Sequence, residues 1–142
     1  FLMRIHLGYP DRKAEKAILR GTGAGRAMAA LDCCMEKTDV RKIQDQVDQV
    51  HASDLFLDYL QDILGFTRDS GLFQIGLSPR AGLALSRASR SWACLNGRDH
   101  ALPEDLQEVL PWVAGHRLRF RQGKELTPDR LKKALDQVPV PV

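Results

Sequence analysis

The sequence predicts an all-α fold, a helical bundle of about five or six helices preceded by one orphan extended segment. Three observations carry this reading. Apolar residues recur at gaps of three and four through most of the chain. Two pairs, Ser78-Pro79 and Thr127-Pro128, join a capping hydroxyl to a proline at the first helical position. Only the opening residues show the period of two that marks a strand.

The totals agree. The chain has 142 residues, enough for one domain that buries most of its apolar surface. Hydrophobic residues make up 44% and charged residues 27%, which excludes a disordered chain. Net charge is +3, from 21 basic and 18 acidic residues. That balance argues against nucleic acid as a partner, since the basic residues are scattered apart from Arg117, Arg119 and Arg121. No apolar run is long enough to span a membrane, and no signal peptide is expected. The first residue is Phe1 and the opening reads as the middle of a longer protein, so the expectation is a fragment. Cys33, Cys34 and Cys94 have no ligand spacing, and their odd number with one vicinal pair suggests reduced thiols in a cytoplasmic protein. His6, His51, His100 and His116 are isolated from one another in sequence and read as surface or satisfied core histidines, with no metal site.

Phe1 to Leu7 alternates Met3, Ile5 and Leu7 with Arg4 and His6, as the last strand of a sheet would. Gly8-Tyr9-Pro10 is a linker in which the proline holds Tyr9 extended. Asp11 to Arg20 is a short helix with Ala14, Ala17 and Ile18 on one side. The three alternating glycines from Gly21 to Gly25 read as a flexible connector. A phosphate loop would need a preceding strand and a Gly-Lys-Ser or Gly-Lys-Thr, which the chain lacks. Arg26 to Thr38 is the least legible stretch, with a helical turn at Arg26 to Leu31. Val40 to Val50 is an amphipathic helix carrying Val40, Ile43, Val47 and Val50. His51-Ala52-Ser53 is a joint, with Ser53 as the cap of a helix from Asp54 to about Thr67. That helix is apolar on more than one side and should lie centrally.

Arg68 to Leu77 is a loop leading into the helix opened by Ser78 and Pro79, which runs to Leu95. Its apolar face is Ala81, Ala84, Leu85, Ala88, Trp92 and Leu95, and Asn96-Gly97 ends it. After a connector to Leu102, Pro103-Glu104-Asp105 starts a helix carrying Leu106, Val109 and Leu110. Pro111 should kink or break it, with Trp112, Val113 and Leu118 continuing the apolar side. Arg121 to Glu125 is a loop. Thr127-Pro128 opens the last helix, which carries Leu131, Ala134, Leu135 and Val138 before Pro139 and Pro141 stop it.

Arg80 stands out. It sits in the first turn, where the helix dipole disfavours a cation by about 0.3–1 kcal/mol. A helix N-terminus with a guanidinium is a good place for an anion such as phosphate. Local chemistry leaves two readings open, a solvated surface arginine and an anion contact.

Together these segments resemble the lid of the MoxR-type branch of AAA+ ATPases. FLMRIHLGYP followed by DRKAEKAIL looks like the passage from an AAA+ core into its helical lid. The His51-Ala52-Ser53 joint, the Gly76-Leu77-Ser78-Pro79-Arg80-Ala81 turn, Asn96-Gly97-Arg98-Asp99 with Leu102-Pro103-Glu104-Asp105, and Ala114 to Leu118 are similar to that lid, in order and with compatible spacing. The resemblance implies three regions: the end of the core at 1–10, the lid at 11–138 and a tail at 139–142. It implies that Arg80 is the nucleotide-binding sensor-2 residue, with Ser78 and Pro79 supporting the helix start. It implies ATP and Mg²⁺ as cofactors of a longer parent, which would be a chaperone-like remodelling ATPase. Its partners would be its own core, the neighbouring subunits of a ring, commonly of six, and a von Willebrand factor A domain protein. The chain departs from the whole pattern in lacking a Walker A loop, a Walker B acidic pair and a sensor-1 asparagine, so it should be inactive alone. Leu102 also stands where a capping Ser or Thr is usual, a loss of about 1 kcal/mol. The alternative is a helical nucleic-acid-binding or protein-interaction module that uses Arg87 and Arg90, or the Arg117–Arg121 cluster.

Overall fold

In the computed structural model of the chain, residues 1–21, 28, 30–121 and 127–141 are described. They contain six helices: α1 Arg12–Leu19, α2 Lys37–Gln49, α3 Asp54–Asp69, α4 Pro79–Leu95, α5 Pro103–Ala114 and α6 Pro128–Leu135. Among the described residues strand pairing is confined to two isolated bridges, so the all-α prediction holds. The chain falls into two units, one of Ile5–Lys42 and one of Phe1–Arg4 with Ile43–Val142.

The smaller unit contains α1, whose start is fixed as the sequence suggests. Asp11 caps it by accepting from the N–H of Ala14 at 2.7 Å, and no α1 residue is buried. The Gly21–Gly25 connector and the turn at Arg26–Leu31 lie mostly outside the described residues.

The larger unit holds the core. Helices α3, α4, α5 and α6 bury Phe56, Ile63, Leu85, Leu106, Val113 and Leu131 against one another. Central α3 buries Phe56, Tyr59, Leu60, Ile63, Leu64 and Thr67, and Ser53 caps it by accepting from Phe56 N–H at 3.2 Å. Thr127 caps α6 in the same way, accepting from Arg130 N–H at 3.4 Å.

Four details depart from the sequence reading. Phe1–Leu7 forms no strand, because it finds no strand to pair with. Instead Arg4 N–H donates to the Trp112 carbonyl at 2.9 Å and Met3 packs against the core. Helix α2 begins at Lys37 and buries only the end of its apolar stripe, Val47 with the following Val50. The buried face of α4 is the expected one at Ala81, Ala84, Leu85 and Ala88 and departs only at the far end, where Trp92 and Leu95 are 39% and 78% exposed while Ser89 and Ala93 are fully buried. Small residues let α4 lie close on its neighbours. Buried Ser89 is satisfied by donating to the Leu85 carbonyl at 2.9 Å. Finally, α5 runs through Pro111 to Ala114. The loss of one helix bond, about 3 kcal/mol or more, is offset because Leu106, Val109 and Leu110 before the proline and Val113 and Ala114 after it are all buried.

Candidate functional site

The site begins at the end of α3. Thr67 is buried, and its hydroxyl donates to the Leu64 carbonyl at 2.8 Å while accepting from Leu77 N–H at 3.0 Å. The next residue, Arg68, donates its Nε to the Leu77 carbonyl at 2.9 Å. Two consecutive side chains of one helix therefore hold both backbone polar groups of Leu77, whose own side chain is buried. Gly76 makes this approach possible. A Cβ there would lie 2.4 Å from Arg68 Cγ, 2.7 Å from its Cα and 2.9 Å from its N.

The clamp sets where α4 starts. Ser78 has extended backbone angles, φ −75° and ψ 162°, and accepts from Ala81 N–H at 3.3 Å. Pro79 takes the first helical position, where it has no N–H to leave unpaired. On the inner side Ala81 is buried, and Gly82 faces Leu64 so closely that a Cβ would lie 2.8 Å from Leu64 Cδ1. On the outer side, Arg80 is exposed, and no hydrogen bond or ion pair ties its side chain to another described residue. The first turn of α4 contains no acidic residue, so the positive end of the helix is not neutralised from within the turn. A fixed helix start with an uncommitted planar guanidinium can receive an anionic oxygen. Among the described residues no cluster of three His, Cys, Asp or Glu could hold a metal ion.

Two of the other candidate cations are engaged within the fold. Arg117 donates through Nε to the Val113 carbonyl at 2.9 Å and through Nη2 to the carbonyls of Phe1 at 2.8 Å and Leu2 at 3.1 Å. Arg121 donates through Nε to the Phe73 carbonyl at 3.1 Å. Arg87 sits 3.4 Å from Asp48 in an exposed pair, and the Nε of Arg90 is buried with no hydrogen-bond partner among the described residues. The Arg117–Arg121 cluster is thereby less available to a phosphate backbone.

Two arrangements escaped the sequence reading. Backbone bonds join the His51 joint to the α4–α5 connector, with His51 N–H donating to Asp99 O at 2.7 Å and Ala101 N–H to His51 O at 2.9 Å. In the same connector, the guanidinium of Arg98 holds both carboxylate oxygens of Asp105, one at 2.7 Å, and Asp105 also accepts from Leu102 N–H at 2.8 Å. Asp105 thus supplies from the third helical position part of the cap that Leu102 cannot. Burial, the largest single influence on Asp105, pushes its carboxyl up. The Arg98 hydrogen bond, the Leu102 N–H and the Arg98 charge together outweigh it and hold the group below the ordinary aspartate value. Nothing in the spacing of residues 98 and 105 signals this pair. The three cysteines are free; Cys33 and Cys34 are exposed and Cys94 is half-buried.

With this geometry in view, the chain can be set beside known proteins. Residues 65–136, which contain the clamp, Arg80 and the Arg98–Asp105 pair, match the AAA lid domain family. The chain is 31% identical over 118 residues to an uncharacterised Bacillus subtilis protein, YeaC, the match covering 83% of the chain and 37% of that protein. It is 31% identical over 127 residues to the chaperone MoxR1 of Mycobacterium tuberculosis, covering 83% of the chain and 33% of the relative. It is 37% identical over 75 residues to the MoxR protein of Methylorubrum extorquens, covering 49% of the chain and 22% of the relative. The chain therefore spans about a third of the length of the curated relatives it matches most broadly. A crystal structure of a candidate ATPase from Cytophaga hutchinsonii superposes with a TM-score of 0.80 at 24% identity, covering 100% of this chain and 47% of that one, which shows a shared fold.

Proposed function

The chain belongs to the AAA lid domain family, in the MoxR-type branch of the AAA+ ATPases, and from that premise we propose that it places Arg80 on the phosphates of ATP bound by the rest of a longer protein. The observation that carries the proposal is the uncommitted Arg80 guanidinium at a helix start held by Ser78, Pro79 and the Thr67–Arg68 clamp. A cation in that turn carries a dipole penalty that no acidic residue of the turn relieves. A phosphate would relieve it.

In this reading ATP supplies the phosphoryl group that is transferred to water, and Mg²⁺ sits with the core, since the described lid residues offer no metal cluster. The lid's own contribution is charge and position. Arg80 neutralises phosphate oxygens, and its planar fork orients them. Because Leu77 is bonded to α3 through both its backbone groups, Arg80 is coupled to the packed helices rather than to a mobile loop. A pull on Arg80 by the phosphates would then move the helical core with it and pass the nucleotide state on. The parent would be a cytoplasmic, chaperone-like remodelling ATPase in a ring, with six subunits expected. A von Willebrand factor A domain protein would be one of its partners. No helix among the described residues is long and apolar enough to cross a membrane.

The test is nucleotide titration of the full-length protein. Arg80→Ala should weaken ATP affinity or slow turnover by roughly tenfold or more, since one charged donor contributes about 1.5–3 kcal/mol. Arg80→Lys should restore only part, because a point charge lacks the fork. Equal affinity and turnover in all three proteins would leave Arg80 a solvated surface residue.

A further inference from the structure

The segment that leads into α2 carries Cys33, Cys34 and Met35 in a row. The chain has three cysteines and three methionines, so half of its sulfur-bearing side chains stand in three consecutive positions. Residues 31–36 belong to no helix, and α2 begins just beyond them at Lys37. Both thiols are free and exposed, and Met35 is 46% exposed. None of the three sulfurs is part of the hydrophobic core. The backbone bends at Met35, and the Cys33 thiol donates to the Met35 carbonyl at 3.2 Å, so Cys33 already folds back over the residue two places ahead of it.

Geometry separates the two things that neighbouring thiols can do. A disulfide requires Cα atoms about 4.4–6.8 Å apart. The Cys33–Cys34 peptide bond is trans, which sets consecutive Cα atoms about 3.8 Å apart. A bond drawn directly between these sulfurs would strain the backbone. An ion between them adds a bond on each side, and metal–sulfur bonds of about 2.3 Å are longer than a sulfur–sulfur bond of about 2.05 Å. Two thiolates can then meet one ion without moving their Cα atoms. Both side chains are exposed, so each can change rotamer to face it.

The donor set chooses the ion. Among the described residues no group of three His, Cys, Asp or Glu is placed to share a metal, which argues against the hard cations that need clustered carboxylates. Zinc in a structural site takes four ligands in a tetrahedron, and two thiols leave half of that shell unfilled. Two thiolates with a thioether are soft donors of the kind that select monovalent copper.

We propose that Cys33 and Cys34 bind one Cu(I) ion as thiolates, with the Met35 thioether as a third, weaker ligand. Two copper–sulfur bonds form, two S–H bonds break, and both protons pass to solvent with no change in oxidation state. The site shares no residue with the Arg80 turn and does not rest on the nucleotide reading.

The experiment titrates this chain with Cu(I) under anaerobic conditions in the presence of bicinchoninate, whose coloured complex reports the copper that the protein leaves free. The chain should withhold one equivalent before colour appears. Cys33→Ser and Cys34→Ser should each lose that equivalent, and Met35→Leu should keep it with affinity lowered severalfold. Because these three residues are exposed, their variants should melt at the parent's temperature, so a lost equivalent is a lost ligand. Cys94→Ser and Arg80→Ala should bind copper like the parent. Zn(II), titrated against an indicator dye, should show no stoichiometric uptake. Colour from the first addition of copper would overturn the proposal. So would an equivalent that survives in both Cys33→Ser and Cys34→Ser, zinc held as tightly as copper, or one copper joining two chains, since each chain would then give a single thiol.

Discussion

At the scale of single residues, the lid is organised around how Leu77 is held. Thr67 and Arg68 fix it, and Gly76 leaves room for them. Gly76→Ala would drive a methyl into the backbone of Arg68, which cannot move aside as a flexible chain end could. It should cost about 1–3 kcal/mol, read as a lower midpoint in urea unfolding. Thr67→Val keeps the shape of the side chain and removes the hydroxyl, leaving Leu77 N–H buried without a partner. That change should also cost about 1–3 kcal/mol. Arg80→Ala should stay within about 0.5 kcal/mol of the parent, because the exposed guanidinium bonds to nothing among the described residues. The contrast between a tolerant Arg80 and an intolerant clamp beneath it is what a binding residue on a rigid mount should show. Ser78, Pro79 and Arg80 were legible in the sequence because caps and N-terminal prolines act on immediate neighbours. Thr67 was not, since a hydroxyl reaching an amide ten residues away leaves no periodic trace.

At the scale of helices, the starts were legible and the faces less so. Asp11, Ser53, Ser78 and Thr127 each cap the helix that the sequence assigned to them. The buried side of α4 and the passage of α5 through Pro111 were set by packing between helices, which a reading of one segment at a time does not contain. The Arg98–Asp105 pair belongs to this scale, because it ties the end of α4 to the start of α5. Asp105 is 3% exposed at its side chain and Arg98 is 27% exposed. Asp105→Asn should therefore cost about 1–3 kcal/mol at neutral pH, since the stranded Arg98 recovers some water. The sign of the pH dependence follows from the lowered folded value of Asp105. Its contribution is complete above the unfolded aspartate value, about 4, and is lost as pH falls through the lower folded value. Urea midpoints measured from about pH 5 downward should thus fall steeply in the parent and less steeply in Asp105→Asn. Parallel acid limbs would show that the pair contributes nothing to folding.

At the scale of the whole molecule, the lid has a fixed helix start and an exposed Arg80, the parts the proposed nucleotide contact needs, but no phosphate loop and no metal-binding cluster of three His, Cys, Asp or Glu among the described residues. The isolated chain should accordingly show no micromolar uptake of ATP–Mg²⁺ in calorimetric titration, because one arginine cannot hold a triphosphate and its metal. The family was legible from motifs in their order, above all Gly76 to Ala81, whereas the hold of Thr67 and Arg68 on Leu77 was not, since these residues come together only in the fold. The central claim, that this lid exists to present Arg80 to ATP, is tested most directly by steady-state ATP turnover in the full-length protein. The variants to compare are Arg80→Ala and Arg87→Ala, the latter two turns further along α4 in an exposed pair with Asp48. The account predicts a loss of roughly tenfold or more for Arg80→Ala with Arg87→Ala close to the parent. Turnover by Arg80→Ala at the parent's rate would contradict it.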